Sequence, residues 1–286
     1  MKLYKIASGI LLELNEQYFL IQEDWDVLIN RDHLYDFISC QTGQWKLITK
    51  ESFKSLLGQG IHATIGKQEL WAAGVTYLRS RDARMEESQG SGGADCYQKV
   101  YEAERPELFF KALPHRIAAH EEKVFIRKDS KWNVPEPELA LYINSNGTIQ
   151  GYSIANDMSS RDIEGENPLY LPQAKIYERS AALGPCLFVP EKPVSEKTMI
   201  SISIERGKKE IFKDTILLSR MKRSFEELVE FLYRECGFEY GCYLMTGTGM
   251  IPPADFTLLP DDRIAIAIEG IGTLVNYVGQ RRIEMK

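Results

Sequence analysis

No segment of this chain approaches the roughly 20 consecutive apolar residues that a transmembrane helix needs. Residues 1–24 are interrupted by Glu13 and Glu16 and carry no cleavage-site pattern, so neither a secretory leader nor a membrane partner is expected. Cysteine is sparse too. Cys40, Cys96, Cys186, Cys236 and Cys242 are odd in number and scattered, with no Cys-x-x-Cys pair, which suits free thiols in a reducing cytoplasm rather than a disulfide framework or zinc site. Neither sign of charge dominates: a net charge of −6 and a pI of about 5.5 argue against nucleic acid as a partner. His33, His62, His115 and His120 show no ligand or nucleophile–base spacing, and no G-x-S-x-G elbow occurs. The TGTGM run at 246–250 lacks the third glycine and helix of a dinucleotide site, and no P-loop lysine follows it. What remains for it is a tight turn that lets backbone and threonine hydroxyls approach a ligand.

The composition is that of an ordinary globular protein, 44% apolar and 27% charged over 286 residues, with chain enough for a substantial core. Residues 1–66 mix short strand-like runs (KLYKIA, GILLELN, YFLIQ) with helices near RDHLYDFIS and SFKSLLG, and read as a small α+β cap domain. Residues 67–286 make the larger domain, opened by a buried strand in WAAGVTYLRS. The polar, glycine-rich RDARMEESQGSGGADC is expected to be a mobile loop or lid that closes over a ligand. MISISIERGKKEIFKDT and DRIAIAIEGIGTLVNYV alternate as strand pairs. A helix is marked by the capping box from Ser224 to Glu227, the stripe Leu228, Phe231 and Leu232, and the stop at Gly237. Strands dominate this part and few long helices alternate with them, which disfavours a doubly wound or (β/α)₈ architecture.

The chemistry concentrates in PEPELALYINSNGTIQGYSIANDMSSRD, residues 135–162. Two strand-like runs flank Asn146-Gly147, the strongest short-range signal for a two-residue hairpin turn. Residues i and i+2 of a strand share a face, so Glu136 and Glu138 are side-mates. With Ser145 opposite Thr148, Asp157 faces Glu136. A four-residue loop keeps that face; an odd-length loop breaks it. Like charges opposed in a sheet are destabilising. A proton held at raised pKa, an intervening arginine or a cation would offset the repulsion, and a solvated polar face with Arg161 as partner would avoid it. Carboxylate oxygens alone suit a hard divalent ion: Mg²⁺, Mn²⁺ or Ca²⁺. Lys175 lies among apolar neighbours in LPQAKIYERS, where a lone lysine is usually a surface residue.

Taken in order, EPELAL, GYSIANDMSSRD, AK, GP, TGTG and IEGIGTLVN resemble the fumarylacetoacetate hydrolase family across residues 70–280. The resemblance implies an α+β protein built on a mixed-β roll with a metal at its mouth, usually a homo-oligomer, acting on small 2-oxo or 1,3-dicarbonyl acids. It places the family's metal-binding acids on Glu136, Glu138 and Asp157 and its active-site lysine on Lys175. Substrate-side positions fall on Arg161, Thr248 and Thr273. The implied cofactor is Mg²⁺, with Mn²⁺ or Ca²⁺ as substitutes.

Departures from the family select the reaction. Its carbon–carbon hydrolases resemble N-Y-x-x-H-x-x-E, with His and Glu activating water. Here Tyr77 aligns, but Ser80 and Ala83 stand at the dyad positions, so no evident general base prepares hydroxide. The VYEAERPELFFKA and TGTGMIPPADFTL runs instead resemble the family's sugar-acid dehydratase branch, which removes water from 2-keto-3-deoxy-D-arabinonate to give 2-oxoglutarate semialdehyde. That branch places Glu107 at the site. Lys175, desolvated beside the cation, is expected to have a lowered pKa and take the C3 proton, while Glu107 serves the C4 hydroxyl; the two roles are exchangeable. The alternative function is a metal-dependent acylpyruvate or fumarylacetoacetate-type hydrolase.

Overall fold

A computed structural model of the chain describes residues 1–87 and 94–281. The first elements are β1 (Lys2–Ile6), β2 (Gly9–Leu14), β3 (Gln17–Ile21), α1 (Trp25–Ile29), α2 (Leu34–Gln41), β4 (Lys46–Ile48) and α3 (Lys50–Leu57). Side-chain caps set two of these helices: Asp24 accepts from the Val27 N–H and Thr49 from the Ser52 N–H. The larger part begins with β5 (Glu69–Gly74), α4 (Leu78–Glu87), α5 (Ala94–Glu102), β6 (Glu107–Ala112), β7 (Ile117–Ala118) and β8 (Lys123–Ile126). The long pair β9 (Asn133–Ile143) and β10 (Ile149–Ser160) follows, then α6 (Arg161–Glu166), α7 (Leu171–Lys175) and β11 (Ala181–Phe188). The chain ends in β12 (Met199–Arg206), β13 (Lys209–Leu217), α8 (Phe225–Tyr233), β14 (Cys242–Met245), β15 (Arg263–Ile268) and β16 (Gly272–Gln280).

Two mixed sheets carry the fold. The larger has eleven strands in the order β4-β3-β2-β1-β11-β10-β9-β14-β5-β6, with β7 beside β11; the smaller runs β13-β12-β15-β16-β8. The N-terminal strands extend the large sheet, because Leu3 of β1 pairs with Leu187 of β11. Alternation sorts β9 between two cores: Leu139, Leu141 and Ile143 pack toward the smaller sheet with Ile202 and Ile266, whereas Ala140 and Tyr142 pack on the far face with Leu12, Phe19 and Leu183. Both faces are covered, so β9 is buried along its whole length. Glu136 and Glu138 fall on the second face, where its apolar residues give out.

The hairpin tip departs from the two-residue turn. The Asn144 N–H donates to Thr148 O at 3.0 Å and the Gly147 N–H to Asn144 O at 3.0 Å, closing a loop of Ser145, Asn146 and Gly147, with Gly147 at φ 76°. Asn144 Oδ1 fixes this loop by accepting from the Asn146 and Thr148 N–H groups. A loop of odd length turns the acids to opposite faces, yet Asp157 does stand opposite Glu136. A bulge between Ile149 and Gly151 inserts Gln150 and restores the register. The side chain of Gln150 accepts from the Leu34 N–H at 2.9 Å, which docks the start of α2.

A second departure concerns the expected lid. α4 runs to Glu87 and α5 starts at Ala94, so most of RDARMEESQGSGGADC is helical; residues 88–93 lie outside the described part. Part of the polarity that suggests a loop has another cause: Arg84 of α4 is buried against Glu136 at the acidic end of β9.

Candidate active site

The cavity at that end is lined by Gly74, Val75, Ser80, Arg84, Glu107, Phe109, Glu136, Glu138, Asp157, Arg161, Glu164, Lys175 and Thr248, among others. The three acids of the hairpin each offer an oxygen within 4.8 Å of the other two. β6 contributes by alternation, sending Glu107, Phe109 and Lys111 to one face. α4 contributes by helical spacing, with Ser80, Arg84 and Glu87 along one stripe.

Lys175, at the end of α7, donates to Glu136 Oε2 at 2.6 Å, Asp157 Oδ2 at 2.9 Å and Ser159 Oγ at 2.6 Å. Burial disfavours its charged form, but Asp157, Glu136 and Glu164 outweigh burial and raise its pKa. The protein groups alone therefore do the opposite of the expected lowering. Lys111 is fully buried. It meets Asp157 Oδ1 at 2.5 Å and donates to the main-chain carbonyls of Met158 at 3.1 Å and Lys175 at 2.5 Å. Burial lowers its pKa, with Asp157 opposing.

The arginines form a second layer. Arg161 spans Glu136 Oε1 at 2.7 Å and Glu87 Oε1 at 2.5 Å. Arg84 meets Glu136 Oε1 at 3.2 Å, Glu87 Oε2 at 3.6 Å and Glu164. Burial alone raises the pKa of Glu136, but Lys175, Arg161 and Arg84 reverse that and hold it ionised. Glu164 follows the same logic, with Arg84, Lys175 and Arg161 overriding burial.

Glu138 and Glu107 differ. The four cations pair with Glu87, Glu136, Asp157 and Glu164, and among the described residues none pairs with Glu138 or Glu107. Glu138 accepts the Gly247 N–H at 2.5 Å, while burial, Asp157 and Glu136 push its pKa well up. Burial likewise raises Glu107, with Arg84 opposing. The TGTGM run wraps the trio as a tight turn: Thr76 Oγ1 donates to Thr246 O at 2.7 Å, and Gly247, at φ +91°, has Thr76 Oγ1 where a Cβ would sit. Thr248 lines the cavity, its Oγ1 accepting from the Met250 N–H at 3.2 Å.

One expected residue is displaced. Thr273 lies on the exposed face of β16, opposite Ala267 in the smaller sheet, and does not line the cavity. The alternation that buries Leu274 turns Thr273 outward. The residues that sequence reasoning missed are Lys111, Arg84, Glu87 and Glu164. The 80/84/87 spacing and the 107/109/111 alternation are the signals that point to the first three.

The donor set fits a hard divalent cation. It consists of carboxylate oxygens, buried, and among the described residues the trio's Glu138 has no cationic side chain to balance it, which leaves room for a cation's charge. Ser80, at the position of the water-activating histidine, donates its hydroxyl to Tyr77 O at 2.7 Å and accepts from the Tyr77 N–H at 3.2 Å.

Comparison with known proteins agrees with this geometry. Residues 83–279 match the family described as Fumarylacetoacetate (FAA) hydrolase C-terminal. The chain is 46% identical over 220 residues to a "Probable 2-keto-3-deoxyxylonate dehydratase" of Haloferax volcanii, covering 76% of this chain and 75% of that protein. It is 40% identical to the 2-dehydro-3-deoxy-D-arabinonate dehydratase of Saccharolobus solfataricus, covering 76% and 74%. A solved structure, 2-keto-3-deoxy-D-arabinonate dehydratase complexed with magnesium and 2,5-dioxopentanoate, superposes with a TM-score of 0.85 at 33% identity, over 99% of this chain and 100% of that one. Fold, acidic trio and sequence converge, and the chain belongs to the fumarylacetoacetate hydrolase family.

Proposed function

We propose that this protein is a magnesium-dependent hydro-lyase that removes water from a 2-keto-3-deoxy sugar acid, turning 2-keto-3-deoxypentonate into 2-oxoglutarate semialdehyde. The observation that carries the reading is the state of α4. The hydrolytic dyad positions hold Ala83 and a Ser80 whose hydroxyl is tied to the Tyr77 main chain, while the acids, Lys175 and Glu107 are kept. The dehydratases among the relatives support the same substrate class.

Glu136, Glu138 and Asp157 would hold the cation. When bound, it supplies positive charge that draws electrons from the 2-oxo group and offsets the carboxylate charge now keeping Lys175 protonated. Neutral Lys175, oriented by Ser159, takes a proton from C3. The electron pair of that C–H bond forms the C3–C4 double bond as the C4–O bond breaks. Glu107, whose acid form burial favours, gives its proton to the departing oxygen and water leaves. The double bond then shifts: a C5 proton is lost, a proton returns to C3, and the C5 enol becomes the aldehyde. Neither elimination step requires an activated water. Thr248 and Arg161 line the cavity, which supports the substrate-side roles that the family resemblance implies for them.

A cytoplasmic setting is supported by free thiols at Cys40, Cys96 and Cys236. A homo-oligomeric state rests on the family resemblance and is read by light scattering. The reaction is tested by offering a 2-keto-3-deoxypentonate and an acylpyruvate side by side, with and without exhaustive chelation. Semialdehyde from the sugar acid, lost on chelation and restored by Mg²⁺, is the expected result. Pyruvate from the acylpyruvate with no semialdehyde overturns the reading in favour of a hydrolase.

A further inference from the structure

Gly74 is the last residue of β5 and pairs directly with Glu107, the first residue of β6. On this face β5 places small residues opposite large ones, Ala72 opposite Phe109 and then Gly74 opposite Glu107. The Glu107 side chain lies back across its neighbour: a Cβ on Gly74 would stand 2.0 Å from Glu107 Oε2, 2.6 Å from Cδ and 3.2 Å from Cγ. The carboxyl thus occupies the volume of the missing side chain.

The floor beneath it is fixed. Val75 sits at φ 52°, a left-handed conformation that is strained for a β-branched residue, and it persists because its surroundings over-determine it. Thr76 anchors the next position through Thr246, and Gly247 packs on Thr76. Gly74 itself has no positive φ, so its backbone is open to other residues; its use here is space rather than torsional freedom.

We infer that Gly74 is a positioning residue: it provides the seat that holds the Glu107 carboxyl where the leaving hydroxyl departs. The inference rests on the acid role proposed above for Glu107. In Gly74→Ala the clash falls on the far end of a flexible side chain, so the chain folds and Glu107 swings out of its seat. The acid trio, on β9 and β10, is left in place.

The test measures kcat, KM and Mn²⁺ binding for G74A, E107Q and the double variant of the full chain. G74A should lower kcat about 100-fold, the scale of a roughly 1 Å misplacement of a reacting group, with KM and Mn²⁺ affinity within about twofold. The double variant should be no slower than E107Q, because a seat is worthless without its occupant. E107Q near wild-type rate removes the acid role and this inference with it. E107Q inactive beside G74A at wild-type rate, or a double variant with the two losses multiplied, overturns the seat alone. Should G74A fail to fold, E107D, which shortens the arm and leaves Gly74 untouched, should lose as much rate as E107Q; full activity there overturns the inference.

Discussion

Glu138 is the acid of the trio that the protein's own cations leave uncompensated. Its two acidic neighbours each have a lysine or arginine partner, whereas its own contact is the Gly247 N–H. Burying a carboxylate beside two others costs stability unless something of opposite charge arrives. Glu138→Gln keeps the volume and removes the repulsion, so the metal-free variant should melt above the metal-free wild type. Saturating Mg²⁺ should stabilise the wild type by about 2.7 kcal/mol at a hundredfold excess over Kd, a rise of several degrees in Tm for a chain of this size, and should leave the variant almost unmoved. Differential scanning calorimetry with and without Mg²⁺ reads both effects. An equal Mg²⁺ shift in wild type and variant would remove Glu138 from the ligand set.

At the scale of elements, what was legible is what depends on local period. The 136/138 alternation and the distance to residue 157 were enough to bring the trio to one face, although the tip was misjudged. Two single-residue offsets cancel there, a three-residue loop and the bulge at Gln150, and the bulge answers to α2, more than a hundred positions away. No local signal carries that. The charges of α4 were misread for a related reason. RDARMEE has the composition of a solvated segment, and it is the acids of β9 and α6, joined by Glu87 of α4 itself, that make it favourable to bury Arg84. Lys111 and Glu164 are hidden in the same way, since their partners come from other elements. Arg84 faces Glu87, Glu136 and Glu164 at once, so Arg84→Met should cost about 3–5 kcal/mol by stranding buried carboxylates. Arg84→Lys should recover part of that. Urea unfolding of the metal-free proteins measures both, and a loss under about 0.5 kcal/mol for Arg84→Met, the range of an ordinary surface change, would mean that α4 does not dock as described.

Across the whole molecule, the site sits where the far face of the large sheet exchanges apolar residues for charge, and that face is built jointly by both parts of the chain. Residues 1–66 were expected to form a cap domain, and they do contain their own hairpins and helices. Yet β1 to β4 continue the sheet from β11, and Leu3, Leu12, Phe19 and Leu28 share one apolar cluster with Ala140, Tyr142, Leu183 and Leu187. Without them β11 loses its β1 partner at Leu187 and Phe188, and the apolar face of β9 and β10 that continues into the acids meets water. A fragment of residues 67–286 should therefore lose solubility and metal-dependent stabilisation together, even though it spans the residues matched by the family. Size-exclusion chromatography and far-UV circular dichroism of the fragment beside the full chain decide the point. A monodisperse fragment with native-like strand content and Mg²⁺-dependent melting would show that the N-terminal strands are an attachment to a self-sufficient domain, whereas recovery of a soluble, Mg²⁺-responsive protein only on adding residues 1–66 as a separate chain would show that the sheet is completed in two pieces and that the acids depend on both.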